Sequence, residues 1–425
     1  MHREGSMRTQ VHLSTKFLTT QNAHQVGILT TLAGDAPPTR APINVVLVLD
    51  RSGSMSGEPL AAALEAARRF AGFLGTNDRL GVVAFDDEVT VVSAPAPAGD
   101  PAVLDAISRI QPGGSTNLSG GWLKAFELAR QGLVDGVNRI VLLTDGQANA
   151  GITDLQALTA MTRSGADSRV STTCIGFGAG FNEDLLQALG REGRGNYWYV
   201  ERDDQMAGVF EGEIEGLVAL AAQNVVVEVR LLHAKASGVT FLQRYPVTRT
   251  TDGGWSASLG DLYATSPLAL GLIIHVDELE TLGVVPVAEV RCIADVVLAD
   301  GIEHRTIIQE VQANLDGADH PEPVVEKTFL RFAAATSRDE AIKLADAGDT
   351  DGAASVLKKV AEQFAPYLDD AEMVQEREDL TQEAARLKER EYATEDRKYM
   401  AAFSMSIREG KRAYKDKLRR PGGKK

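Results

Sequence analysis

Between residues 43 and 222, short and wholly apolar runs alternate with segments in which apolar residues recur at helical spacing. The first run covers residues 45–49 and reads Val-Val-Leu-Val-Leu, which is typical of a strand covered on both faces of a parallel sheet. A second apolar run occurs at 140–143, and strand-like segments with some polar residues occur at 79–85 and 170–177. Because strands that alternate with helices form layered α/β folds, we predict a doubly wound, mostly parallel sheet of the Rossmann-like type.

The segments on either side of this region have a different pattern. Short β-type segments separated by turn residues predict an antiparallel β-sandwich over residues 223–323. Residues 1–41 contain two more strand-like segments and lead into a proline-rich linker. These strands have no other evident partner, so we predict that they join the sandwich and that the α/β domain, residues 42–222, is inserted into it. Residues 324–425 predict an α-helical region that begins with a helical hairpin and ends in a basic tail.

Composition excludes several classes of function. The net charge of -15 argues against general nucleic-acid binding, which requires a basic surface, so we interpret the basic tail as a solvated helix end. The two cysteines, Cys174 and Cys292, lie in separate apolar runs and are expected to be buried free thiols. The polar segment 1–7 does not resemble a signal peptide, and no apolar segment reaches the roughly 20 residues needed to span a bilayer. We therefore expect a cytoplasmic protein.

Oxygen-bearing side chains follow two of the predicted strands and occur in one long connection. Asp50, Ser52 and Ser54 come at the end of the first apolar run, Thr116 lies in a glycine-rich segment, and Asp145 follows the run at 140–143. Because loops at the carboxyl ends of parallel strands share one crevice, these side chains are expected to converge. Two carboxylates and three hydroxyls are hard ligands, which suit Mg²⁺, Mn²⁺ or Ca²⁺ better than zinc or copper.

This pattern resembles the metal-ion-dependent adhesion site of von Willebrand factor type A domains. The surrounding sequence is similar as well, as in Val-Leu-Val-Leu-Asp-Arg-Ser-Gly-Ser-Met at the first loop and Leu-Leu-Thr-Asp-Gly at the last, over about residues 42–222. The resemblance implies that five residues hold a divalent cation directly or through water: Asp50, Ser52, Ser54, Thr116 and Asp145. Mg²⁺ is favoured, with Ca²⁺ or Mn²⁺ as alternatives. The resemblance extends to the intracellular bacterial multi-domain proteins that carry this domain.

The expected function follows from the charge of such a site. An ion held by only two carboxylates keeps affinity for a further anion, so the chain is predicted to be a non-enzymatic scaffold that binds an Asp or Glu of a partner protein. A metal-dependent hydrolase is one alternative, although the sequence has no P-loop and no second carboxylate cluster. A metal that only stabilises the fold is another. The sequence does not determine the oligomeric state.

Other polar residues near the five predicted ligands are expected to have structural roles. Asp86 and Asp87 are interpreted as a solvated turn rather than as part of the site. Asn149 and Asp154 are interpreted as loop caps. The last helix of the α/β domain, predicted over residues 204–222, leads directly into the sandwich, and we hypothesise that ligand binding shifts this helix and changes the angle between the domains.

Overall fold

The computed structural model describes residues 7–19, 21–35, 40–178, 180–298, 301–388 and 394–408. The polar start at residues 1–6 and the basic tail from residue 411 lie outside the described residues. The chain begins with two long strands, β1 (Met7–Leu18) and β2 (Ala23–Gly34), which form an antiparallel pair.

The α/β domain follows with six strands in one sheet. Its strands are β3 (Ile43–Asp50), β4 (Arg79–Phe85), β5 (Val89–Pro97), β6 (Val137–Thr144), β7 (Ser171–Phe177) and β8 (Arg194–Val200). Their order is β5-β4-β3-β6-β7-β8, and the pairs are parallel except β4 with β5. The helices are α1 (Glu58–Phe73), α2 (Pro101–Ser108), α3 (Leu118–Gln131), α4 (Leu155–Asp167), α5 (Glu183–Glu192) and α6 (Asp203–Val218).

The degree of burial of each strand explains whether the apolar pattern of the sequence could predict it. Every residue of β3, β6 and β7 is buried, as expected for strands with helices on both faces. The β5 strand was not predicted, because none of its residues is buried and it contains Pro95 and Pro97. Proline is tolerated in such an edge strand, where the missing N–H has no ladder partner.

The sandwich contains the remaining strands. These are β9 (Leu220–Leu231), β10 (Ala236–Phe241), β11 (Val247–Arg249), β12 (Trp255–Tyr263), β13 (Leu268–Val276), β14 (Gly283–Leu298) and β15 (Gly301–Leu315). One antiparallel sheet has the order β1-β2-β13-β10, and the other has the order β11-β12-β9-β14-β15. Because β2 pairs with β13, the N-terminal strands complete the sandwich and the α/β domain is inserted into it. The predicted fold class is therefore confirmed.

The end of the last α/β helix differs from the prediction. Helix α6 ends at Val218, whereas the sequence pattern predicted a helix to residue 222. Ala221 and Ala222 instead lie on β9, buried in the core of the sandwich. Small apolar residues are compatible with a helix or a strand, and burial between the two sheets decides in favour of the strand.

The C-terminal region is helical in the part that the structure describes. It contains α7 (Pro323–Asp346), α8 (Thr350–Glu362), α9 (Ala371–Lys388) and α10 (Thr394–Arg408). The predicted hairpin turn is confirmed, since Gly348 has φ +85° and the Asp349 side chain accepts from the Gly352 N–H at 2.8 Å. Helix α10 packs on α7 and also places Ala402 in the core of the α/β domain. None of the described helices is long and apolar enough to cross a membrane.

Candidate metal centre

Asp50 is fixed at the carboxyl end of β3, where it is fully buried. Its Oδ1 accepts from the Ser52 N–H at 2.8 Å, and its Oδ2 accepts from the Thr144 hydroxyl at 2.5 Å. Burial, together with the negative charge of Asp145, raises the pKa of Asp50 from 3.8 to about 6, even though hydrogen bonds from Thr144 and Ser52 oppose this rise. The carboxylate is thus held in place but poorly stabilised as an anion.

The hydroxyls and the second carboxylate lie together beside Asp50. The Ser54 hydroxyl donates to Asp145 Oδ1 at 2.8 Å, and the Ser52 and Ser54 oxygens are 3.2 Å apart. Thr116 is buried, and a Cβ added at Gly146 would lie 2.9 Å from its hydroxyl oxygen. The Thr116 hydroxyl therefore adjoins the turn that carries Asp145. The structure thus brings together the five side chains that the sequence singled out.

The donor set fits a hard divalent cation. Among the described residues, no Lys or Arg forms an ion pair with Asp50 or Asp145. In the described ranges, no three or more His, Cys, Asp or Glu side chains are placed so that they could hold a metal ion together, so hydroxyls have to complete any ligand set here. Burial raises the pKa of Asp145 as well. Two desolvated carboxylates without a positive partner are the arrangement that a bound cation stabilises.

Asp86 holds two of the loops together, and its interpretation as part of a solvated turn is wrong. It is buried, and the Arg51 guanidinium lies 3.2 Å from its Oδ2. The Gly114 N–H donates to the same oxygen at 3.2 Å, and the Asn117 N–H donates to the Asp86 carbonyl at 2.8 Å. Burial alone would raise the pKa of Asp86, but the Glu88 and Gly114 N–H groups and Arg51 hold it below 3.8.

The position of Asp86 explains why a glycine lies opposite it in the Thr116 loop. A Cβ at Gly113 would overlap the Asp86 carboxylate, so the glycine-rich segment is what lets the Thr116 loop approach. Asp87 is exposed, and its Oδ1 accepts from the Ser115 N–H at 3.2 Å. Sequence reasoning could have found Asp86, since it follows β4 at the same edge of the sheet as Asp50.

Asn149 fixes the backbone of Thr116, whereas Asp154 is a cap as predicted. Asn149 Oδ1 accepts from the Thr116 N–H at 2.9 Å, and its own N–H donates to the Thr116 carbonyl at 3.3 Å. The Asp154 side chain accepts from the Ala157 N–H at 2.8 Å and caps α4. Asn149 therefore orients a predicted ligand, a role that only the folded structure reveals.

The C-terminal helix α10 reaches the loop next to Asp145. A Cβ at Gly180 would lie 2.9 Å from the Asp145 carbonyl oxygen, so this loop packs directly on the candidate site. The buried Lys398 of α10 donates to the Phe181 carbonyl at 2.7 Å and lies 3.1 Å from Glu183 Oε2. The sequence alone does not predict the contact between Lys398 and Phe181, because these residues are far apart in the chain.

Comparisons with known proteins agree with this architecture. Residues 44–211 match the model of the von Willebrand factor type A domain. An uncharacterized protein of Synechocystis sp. is 32% identical over 187 residues, a match that covers 44% of each protein and so less than half of that relative's length. A solved von Willebrand factor type A protein from Catenulispora acidiphila superposes with TM-score 0.68 and 16% identity over 90% of both chains. The paralog of ArnB called VWA2, from Sulfolobus acidocaldarius, superposes with TM-score 0.59 and 14% identity over 95% of this chain and 98% of that one.

Proposed function

Because residues 44–211 are a von Willebrand factor type A domain, we propose that this protein is a metal-dependent interaction module that binds a carboxylate of a partner protein. In this proposal, Asp50, Ser52, Ser54, Thr116 and Asp145 hold the cation. Domains of this type commonly mediate protein interactions. The observation that carries the proposal is the pair of desolvated carboxylates, Asp50 and Asp145, which no cationic side chain in the described ranges neutralises.

The chemistry of the donors favours capture of an outside oxygen ligand. Mg²⁺ is octahedral, with about six oxygen ligands, and usually retains several waters. With one oxygen each, the five side chains cannot supply all of the roughly six ligands, and three of them are neutral hydroxyls. A carboxylate from a partner can replace water and add negative charge. We propose Mg²⁺ as the ion, with Ca²⁺ and Mn²⁺ as the alternatives to be measured, and a cytoplasmic location as predicted from the sequence.

Metal binding is the first test of this proposal. Mg²⁺, Mn²⁺ and Ca²⁺ are titrated by calorimetry into protein stripped with a chelator, into Asp145→Ala, and into Asp154→Ala as a matched control. We expect saturable one-site binding in the wild type and in Asp154→Ala, which loses only the helix cap. Binding is expected to be lost in Asp145→Ala. Equal binding by the two variants would refute the assignment of Asp145.

Carboxylate capture is tested separately with peptides. One library has a fixed central Asp in random flanks that contain no Asp or Glu and end in an amide, and the matched library has Asn at that position. The wild-type protein is expected to retain peptides of the Asp library in Mg²⁺, and to lose them when EDTA is added. Retention of both libraries alike, or retention that persists in EDTA, would contradict a metal-bridged carboxylate.

A further inference from the structure

A cavity of about 330 Å³ lies at the junction of the three parts of the molecule. The α/β domain contributes residues of α5, the sandwich contributes residues 243–245, and the helical region contributes residues of α7 and α10. Small-molecule sites have volumes of roughly 300–1,000 Å³ and occur preferentially at domain interfaces. The cavity is separate from the candidate metal centre, since none of the five proposed ligands lines it.

The lining of the cavity carries more positive than negative charge. Its basic side chains are Arg191, Arg244, Lys343 and Arg397, and its acidic ones are Asp184, Asp339 and Asp346. The acidic side chains already have cationic partners. Arg397 lies 3.4 Å from Asp184 and 3.0 Å from Asp346, and Arg244 lies 3.0 Å from Asp339. Arg397 also forms an ion pair with the buried Glu183, so Arg191 and Lys343 are the basic side chains of the lining that remain available, and these two favour an anion.

Three donors on this lining are left without a good acceptor in the part of the chain that the structure describes. The Gln187 amide nitrogen is buried and has no hydrogen-bond partner. Lys343 forms no ion pair with any described residue. The carboxylate that Arg191 approaches, that of Glu192, is 3.9 Å away, which is too far for a hydrogen bond. The buried Gln187 amide without an acceptor is unfavourable, and an acceptor in the cavity would relieve this cost while it also pairs with the two cations.

We propose that this cavity binds a small organic anion whose phosphate or carboxylate oxygens accept from Gln187, Arg191 and Lys343. Gln187 and Arg191 belong to α5 of the α/β domain, and Lys343 belongs to α7 of the helical region. The ligand therefore bridges two parts of the molecule. Because it binds only the assembled arrangement, it stabilises the folded protein in proportion to its concentration.

The experiment measures thermal unfolding and calorimetric binding of the full chain with three probes: inorganic phosphate, glycerol 3-phosphate and succinate. Chloride at matched ionic strength serves as the control. We expect at least one probe to raise the unfolding temperature saturably, and comparison of the phosphate probes with succinate identifies the preferred acidic group. Because a charged hydrogen bond is lost, Lys343→Gln and Arg191→Gln are each expected to weaken binding about tenfold. Both positions are exposed, so the variants are expected to fold.

Two controls keep the outcome decisive. Lys358→Gln removes an exposed lysine of α8 that does not line the cavity, and it is expected to leave the affinity unchanged. Asp145→Ala is expected to leave it unchanged as well, which separates this site from the metal centre. The proposal is overturned if none of the probes binds saturably at millimolar concentration, or if Lys358→Gln weakens binding as much as Lys343→Gln does.

Discussion

The two ends of the central sheet both contain buried carboxylates, but the ends differ in how the negative charge is balanced. At the carboxyl end of the strands, Asp50 and Asp145 have no cationic partner among the described residues. At the opposite end, the buried Arg139 of β6 forms an ion pair with Asp261 of the sandwich strand β12. Glu213 of α6 is close to this pair and is fully buried.

Both carboxylate oxygens of Glu213 accept hydrogen bonds. It accepts from the Thr173 hydroxyl at 2.6 Å, from the Asn196 amide at 2.6 Å and from the Trp198 indole at 2.9 Å. Asn196 in turn contacts the Tyr263 hydroxyl of the sandwich at 3.1 Å. These contacts attach α6 and the sandwich to the sheet. The hypothesised shift of α6 on ligand binding would therefore have to break three hydrogen bonds to a carboxylate, each contributing about 1.5–3 kcal/mol.

The comparison teaches that charge compensation distinguishes a structural cluster from a binding site. Where a buried carboxylate has Arg139 or several hydrogen-bond donors as partners, its charge is stabilised within the protein and the cluster joins two parts of the fold. Where Asp50 and Asp145 remain unpaired, the fold retains an unfavourable anionic pair that a cation relieves. Substitutions that remove charge should therefore have opposite effects on stability at the two ends of the sheet.

The largest effect is expected for Arg139→Met. This variant leaves the buried Asp261 with the Tyr263 hydroxyl as a hydrogen-bond donor but without its cationic partner, and loss of one partner of a buried pair typically destabilises a protein by about 3–5 kcal/mol. The thermal unfolding midpoint should fall strongly, whereas Arg139→Met combined with Asp261→Leu should recover much of the loss. Arg8→Met is the control, because Arg8 and Asp35 form an exposed pair worth about 0–1 kcal/mol. Similar midpoints for Arg139→Met and Arg8→Met would contradict the structural role of the buried pair.

Asp50→Asn should act in the opposite direction in the absence of metal. The folded-state pKa of Asp50 is raised from 3.8 to about 6, so its stabilising contribution is present below pH 3.8 and is lost as the pH rises to about 6. Above that pH, the variant should be more stable than the wild type by about 2–3 kcal/mol. The measurement is the difference in unfolding free energy between the two proteins as a function of pH in EDTA. A difference that stays constant across this pH range would show that Asp50 is not desolvated as described.

A smaller effect is expected for Asp86→Asn, which removes the charge that holds Arg51 and weakens the clamp on the loop carrying Thr116. Groups that orient metal ligands typically change metal affinity by about 10–100-fold. Calorimetric titration with Mg²⁺ should show a loss of this size. Asp87→Asn is the matched control, and a far smaller change is expected because Asp87 is exposed and the Asn oxygen can still accept from the Ser115 N–H. Equal losses of Mg²⁺ affinity in the two variants would mean that Asp86 does not position the Thr116 loop for metal binding.

The sequence was sufficient for features that depend on local patterns. The wholly buried strands β3 and β6 contain the continuous apolar runs at 45–49 and 140–143, and the convergence of Asp50 with Asp145 follows from the parallel topology. The exposed β5 lacks such a run. The end of α6 could not be predicted, because Ala221 and Ala222 are buried only through packing between the sandwich sheets.

Contacts between distant segments could not be predicted from the sequence, for a different reason. The pairing of Arg139 with Asp261 and the contact of Lys398 with Phe181 join residues far apart in the chain, and no spacing rule relates them. The same holds for the cavity at the junction of the three parts. The side-chain cluster at the candidate metal centre was predictable because its loops lie at the same edge of the sheet, whereas these contacts depend on how the separate parts pack together.

The most direct test of the account measures how Mg²⁺ changes the unfolding temperature of the wild type, Arg139→Met and Asp145→Ala. A ligand that binds only the folded state raises stability with its concentration. We predict a saturable rise in the wild type, a similar rise from a lower starting point in Arg139→Met, and no rise in Asp145→Ala. The absence of a rise in the wild type, or an equal rise in Asp145→Ala, would contradict the claim that the unpaired carboxylates form a metal site.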